Sequence, residues 1–188
     1  MKKSIIIAAA AAFGFGGLIG IVVWFGYGNH AAIANPRPVW SEVQWPFPID
    51  QWGKGKAFHC RASDCGAEVN LYLRAKLGFC NCTTGVADDE EAARLSDFDL
   101  MGRQVDPLGE GHPITVAWMK GRSRAFTISE PVRAGDKSSL SVAFNDRCDA
   151  MVATVVLGHN RPTLIEPGVI EFLNGKSVLR WAEISLGL

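Results

Sequence analysis

Four cysteines, Cys60, Cys65, Cys80 and Cys82, with His59 beside the first, are the residues of this chain best suited to chemistry. Thiols so grouped have three uses: structural disulfides, a soft ligand set for copper or zinc together with His59, or thiol exchange with a partner. A Cys-x4-Cys followed by Cys-x-Cys is not the spacing of a zinc ribbon, and bound thiolates must stay reduced. The Cys-x-x-Cys of the usual oxidoreductase loop does not occur. Cys60 with Cys65 closes a small local loop, whereas a Cys80–Cys82 bond across one residue is strained.

The fifth cysteine, Cys148 in FNDRCDA, makes the count odd, so at least one thiol is expected unpaired or joined to another chain. Flanking Asp146 and Asp149 deny Cys148 the electropositive surroundings that activate a thiol, only partly offset by Arg147. A Cys148 nucleophile served by His112 or His159 is the catalytic alternative, and no local pattern favours it.

Which use the cysteines serve depends on their compartment. From Ile5 to Tyr27 the chain carries no charge, and a helix of that length spans the roughly 30 Å apolar core of a bilayer. Lys2 and Lys3 precede it with no comparable cluster after it, which places residues 1–4 in the cytoplasm and everything beyond the 5–27 anchor outside. The reading is an inner or plasma membrane protein crossing once, its cysteines in an oxidising space. A cleaved signal peptide is the rival, with Ala32-Ile33-Ala34 as its site, but the apolar run exceeds the roughly 7–15 residues of a signal core. Ala12, Gly16 and Gly20 recur every four residues, a pattern that lets two membrane helices approach closely and makes a homodimer one expected partner.

Residues 28–55 hold Pro36, Pro38, Pro46 and Pro48 among Trp40, Trp45 and Trp52, and read as an extended linker whose tryptophans rest on the membrane surface or dock on the domain. Residues 56–188 are enough for one domain. Of 19 basic residues two precede the anchor, against 19 acidic ones, so the outer portion is slightly acidic and has no footprint for nucleic acid.

Strict alternation over Glu68–Phe79 predicts a half-buried strand, with a helix as the competing reading. Asp88 to Glu91 crowd the first turn of a predicted helix with Leu95, Phe98 and Met101 on its apolar face and Gly102 at its end. Strands are expected at Pro113–Lys120, Arg124–Ser129, Ser139–Asn145 and Asp149–Gly158, the last central in the sheet. A second short helix opens near Pro167 and closes at Asn174–Gly175, and Ser177–Leu186 reads as a final strand. The expected fold is α+β, a mainly antiparallel sheet with two short helices. Cys60 and Cys65 then lie at the opposite end of a long strand from Cys80 and Cys82.

Lys120, Arg122 and Arg124 around Gly121 are read as a hairpin turn able to grip an anion or a partner. Asn81-Cys82-Thr83 fits a glycosylation sequon. Phosphate-binding loops, dinucleotide fingerprints, zinc-protease and serine-hydrolase motifs are all missing. The sequence thus reads as a membrane-tethered, disulfide-stabilised binding or accessory module without a cofactor. Its alternative is a thiol-redox or copper- or zinc-handling protein using His59, Cys60, Cys65, Cys80 and Cys82.

Overall fold

The computed structural model describes residues 38–79, 81–101, 104–129, 137–158 and 161–188. The apolar segment 5–27 with Ala12, Gly16 and Gly20, the cleavage motif at Ala32–Ala34, and Cys80 lie outside the described residues. No helix among the described residues is long and apolar enough to cross a membrane.

Among the described residues eight strands form one sheet: β1 (Trp40–Val43), β2 (Lys56–Cys60), β3 (Val69–Lys76), β4 (Gln104–Pro107), β5 (His112–Val116), β6 (Met119–Ser129), β7 (Lys137–Asp146) and β8 (Asp149–Leu157). Their order is β1-β2-β3-β8-β7-β6-β4, with β5 also on β6, and every pairing is antiparallel. Four short helices complete a single α+β domain: α1 (Ala62–Cys65), α2 (Asp89–Leu95), α3 (Pro162–Leu173) and α4 (Lys176–Leu186), with a 3-10 turn at Phe98–Met101. Among the described residues the helices number four, where the sequence suggests two beyond the anchor.

Period-two patterning decides which side of the sheet each residue faces. Val69, Leu71 and Leu73 of β3 point to one face, where they join Leu140, Val142, Phe144, Val155 and Leu157 beneath α3 and α4. On the other face Ala143, Ala150 and Val152 meet Ala92 and Leu95 of α2. β8 is apolar on both sides because it lies between β3 and β7 with both faces covered.

The Asp88 carboxylate caps α2 by accepting the Glu91 N–H at 2.8 Å, and the acidic first turn suits the positive end of the helix dipole. α2 stops at Leu95, so Phe98 belongs to the following 3-10 turn rather than to the same helical face.

The segment 177–186 corrects an expectation. It is a helix rather than a strand, because Val178, Ala182 and Leu186 recur every four residues and form its buried stripe. α3 begins at Pro162, not near Pro167, and carries Pro167 inside it. The β5–β6 hairpin turns at Ala117 and Trp118, with Ala117 at φ 52°. Lys120, Arg122 and Arg124 are therefore strand residues within β6, not a turn.

Residues 40–43, inside the stretch read as linker, are the edge strand β1 paired to β2, and all three tryptophans pack on the domain. Trp40 stacks on Phe172 with ring centres 4.7 Å apart. Trp45 is buried edge-on against Phe47 and Tyr72, a fit that requires Gly55, where a Cβ would come within 2.6 Å of the indole. Trp52 meets Phe79 edge-to-face at 4.8 Å.

Candidate functional site

Among the described residues two disulfides fix the state of four of the five cysteines. Cys60 bonds Cys65 around α1, with Cα atoms 6.0 Å apart. Cys82 bonds Cys148, 66 residues later. Cys148 is thus neither unpaired nor joined to another chain, because it sits in the two-residue turn between β7 and β8, and β8 runs beside β3, whose end leads to Cys82. The sulfurs of Cys60, Cys65 and Cys82 are disulfide sulfurs rather than thiolates. The two bonds lie at opposite ends of β3, a strand about 25 Å long.

His59, grouped with the cysteines in the sequence, instead contacts the Glu68 carboxylate through Nε2. That imidazole, together with the Ala62 N–H, holds the Glu68 carboxyl below its ordinary range. Among the described residues no group of three or more His, Cys, Asp or Glu is placed to hold a metal ion.

Arg122 and Arg124, read as anion contacts, are turned inward on the loop before β5. Arg122 meets the Asp89 carboxylate and donates to the Gly111 carbonyl at 2.8 Å. Arg124 donates to the Gly109 carbonyl at 3.1 Å and lies 3.5 Å from Asp89. Lys120 shares their face of β6 and is exposed. Asp89 also accepts the Gly111 N–H at 2.9 Å, and this bond, followed by Arg122, holds its carboxyl below the usual value of 3.8.

A folded carboxyl that binds its proton less readily than the unfolded one stabilises the protein fully above the unfolded pKa and loses that contribution as pH falls through the folded one. Asp89→Asn is therefore expected to flatten the decline of stability below about pH 4. Urea midpoints measured from pH 6 downward check it, and an acid limb as steep as in the parent protein would count against the assignment.

His112, on β5, lies opposite Ser123 of β6, and its Nε2 is 2.8 Å from Glu166 of α3. The set resembles a nucleophile, base and orienting acid in residue type only. Ser123 Oγ is enclosed and takes no hydrogen bond, and the His112–Glu166 contact lacks hydrogen-bond alignment. Cys148 is held in a disulfide, so it offers no thiol for a pairing with His112; His159 lies outside the described residues.

The strongest concentration of charge is one the sequence did not announce. Arg74 and Lys76, in phase on β3, point to the α2 face and are buried. Arg74 donates Nε to Asp97 at 3.1 Å, contacts the same carboxylate through Nη2, and donates Nη1 to both Asp50 oxygens at 2.7 Å. Lys76 donates to the Leu95 carbonyl at 2.7 Å and lies 2.9 Å from Asp97. Two cations and two carboxylates balance, which burial at this depth demands.

Burial would raise the Asp50 carboxyl, but Arg74 and the Trp52 N–H outweigh it and hold the pKa below 3.8. Asp50 also ties down its own turn, accepting the Trp52 N–H on Oδ1 at 2.8 Å and the Gly53 N–H on its carbonyl at 3.0 Å. Gly53 supplies the left-handed φ of 74° that this turn requires. The result is a clasp: a rigid turn presenting Trp52 at the end of β3, locked by a buried guanidinium. The only sequence signal for it was a pair of cations alternating with the apolar positions of β3, indistinguishable from a solvated face until α2 is placed over it.

Comparison with protein-family models and with curated protein sequences finds no match to this chain.

Proposed function

We propose that this protein is a membrane-tethered, extracytoplasmic binding or accessory module, anchored by residues 5–27 and acting through its α+β domain on a partner or ligand. The observation that carries the reading is the pair of intrachain disulfides, which persist where the surroundings are oxidising. The uncharged segment 5–27 behind Lys2 and Lys3 supplies the tether and the orientation. Recognition is favoured over catalysis because the Arg74–Lys76–Asp97–Asp50 and Arg122–Arg124–Asp89 clusters are closed on themselves, their charges answered by internal partners. A second copy meeting through Ala12, Gly16 and Gly20, or another protein, is the partner in this reading, which calls for no metal or cofactor.

The test joins topology to thiol state. Protein in intact membrane vesicles of defined orientation is treated with protease, and natively purified protein is weighed before and after alkylation with and without reduction. The expected result is a domain cleaved from the extracytoplasmic side only, two bridges, and one cysteine open to alkylation. A domain protected from that side removes the proposed orientation. Copper or zinc retained on reduced thiols would replace this reading with the metal-handling one.

A further inference from the structure

On the other flank of the Trp52 turn from the buried cations, the domain has a cleft of about 500 Å³ between that turn, the end of β3 and α4. Small-molecule sites commonly fall between about 300 and 1,000 Å³, with mostly apolar walls and a few polar groups that fix orientation. Trp52 and Trp181 line this cleft together with Leu77, which is 55% exposed. Gln51, Lys54 and Ser185 supply its hydrogen-bonding groups.

The lining decides the charge of what fits. Indole faces attract cations, but recognition of a desolvated cation is strengthened by a carboxylate, and among the described residues no Asp or Glu lines this cleft. Among the described residues Lys54 is its one charged lining residue. A lysine and two tryptophans lining one cleft suit a molecule that carries both an anionic group and a flat apolar ring face.

The walls are also built in advance. Trp52 is held by the Asp50–Arg74 clasp and by Phe79, and Trp181 packs against the core shared by α4 and the sheet. Fixed walls reduce the ordering cost that binding otherwise carries.

We propose that the Trp52–Trp181 cleft binds a small anionic ligand with a flat ring face, the anion at Lys54 and the ring against the tryptophans. The inference rests on the binding-module reading and names the ligand class of one site within it. An aryl carboxylate and a sugar acid share this chemistry, so both serve as probes.

The experiment follows the indole N–H signals of the full chain in detergent micelles by NMR while 2-naphthoate or glucuronate is added. The uncharged counterparts, 2-naphthylmethanol and methyl glucoside, and sodium chloride are titrated in parallel. Expected is a saturable shift of the Trp52 and Trp181 signals with at least one of the two acids, and which acid acts identifies the ring. Trp40, Trp45 and Trp118 stay in place, and the uncharged counterpart binds at least tenfold more weakly.

Lys54→Gln, an exposed replacement, is expected to remove that tenfold preference while leaving the spectrum of the free protein intact. The proposal is overturned if neither acid saturates, if acid and uncharged counterpart bind alike, if Trp118 shifts with the pair, or if Lys54→Gln binds as the parent does. Any of these with both disulfides and the membrane orientation intact removes this site and leaves the module reading standing.

Discussion

Replacing Asp97 by alanine is expected to lower the free energy of unfolding by about 3–5 kcal/mol, the cost typical of stripping one partner from a buried ion pair. The size follows from what remains. Asp97 is 4% exposed and is the only carboxylate shared by Arg74 and Lys76 in this network, so its loss leaves Lys76 with a carbonyl and Arg74 with Asp50 alone. Asp50→Asn is expected to cost far less, since that side chain is 34% exposed and water replaces much of what it gives.

Urea denaturation followed by far-ultraviolet circular dichroism measures both. A loss below about 1 kcal/mol for Asp97→Ala would show that the network adds no more than an exposed pair does. If that variant does not fold, the triple change Arg74→Met, Lys76→Met, Asp97→Leu separates charge from packing. Removing all three charges at similar volume is expected to restore a cooperative transition, because no ion is then left at the fully buried positions and the part-exposed Asp50 is left to water.

The second large effect is an asymmetry between the disulfides. Bond Cys82–Cys148 closes 66 residues and bond Cys60–Cys65 closes five. Loop-closure entropy assigns roughly 4 kcal/mol to the first and about 2 kcal/mol to the second. Paired serine replacements at 82 and 148 are therefore expected to lower the urea midpoint about twice as far as those at 60 and 65. Equal losses, or the reverse order, would mean that local contacts around α1 rather than loop closure govern the difference.

Legibility of this fold in its sequence tracked how local each signal was. β3 was readable because Val69, Leu71 and Leu73 alternate with polar residues, and β8 because a nearly unbroken apolar run belongs between two covered faces. The helix at 89–95 is legible from its acidic first turn, in which Asp88 proves to be the cap. α4 was misread since Leu179, Trp181 and Ile184 add apolar residues off the Val178, Ala182, Leu186 stripe, and they blur the fourfold spacing.

The candidate sites were hidden for a different reason. Cys148 could not be matched to Cys82 without knowing that β8 returns to pair with β3, a contact that brings Ala150 beside Lys76. Arg74 and Lys76 looked like solvent-facing positions because the helix that buries them lies on the far side of a turn and a loop. Trp52 and Trp181 are more than a hundred residues apart, and only the docking of α4 against the end of β3 sets them on one cleft.

The return of β8 also imposes an order of assembly. As the chain is made from its N-terminus, β3 waits for a neighbour roughly 80 residues downstream, a separation that slows closure of a sheet. During that wait Cys82 has no correct partner, while Cys60 and Cys65 are both within reach. Their local bond, five residues long, can close first and withdraw two wrong partners from the pool. Closing the small loop around α1 thereby leaves fewer thiols able to exchange with Cys82 before β8 arrives.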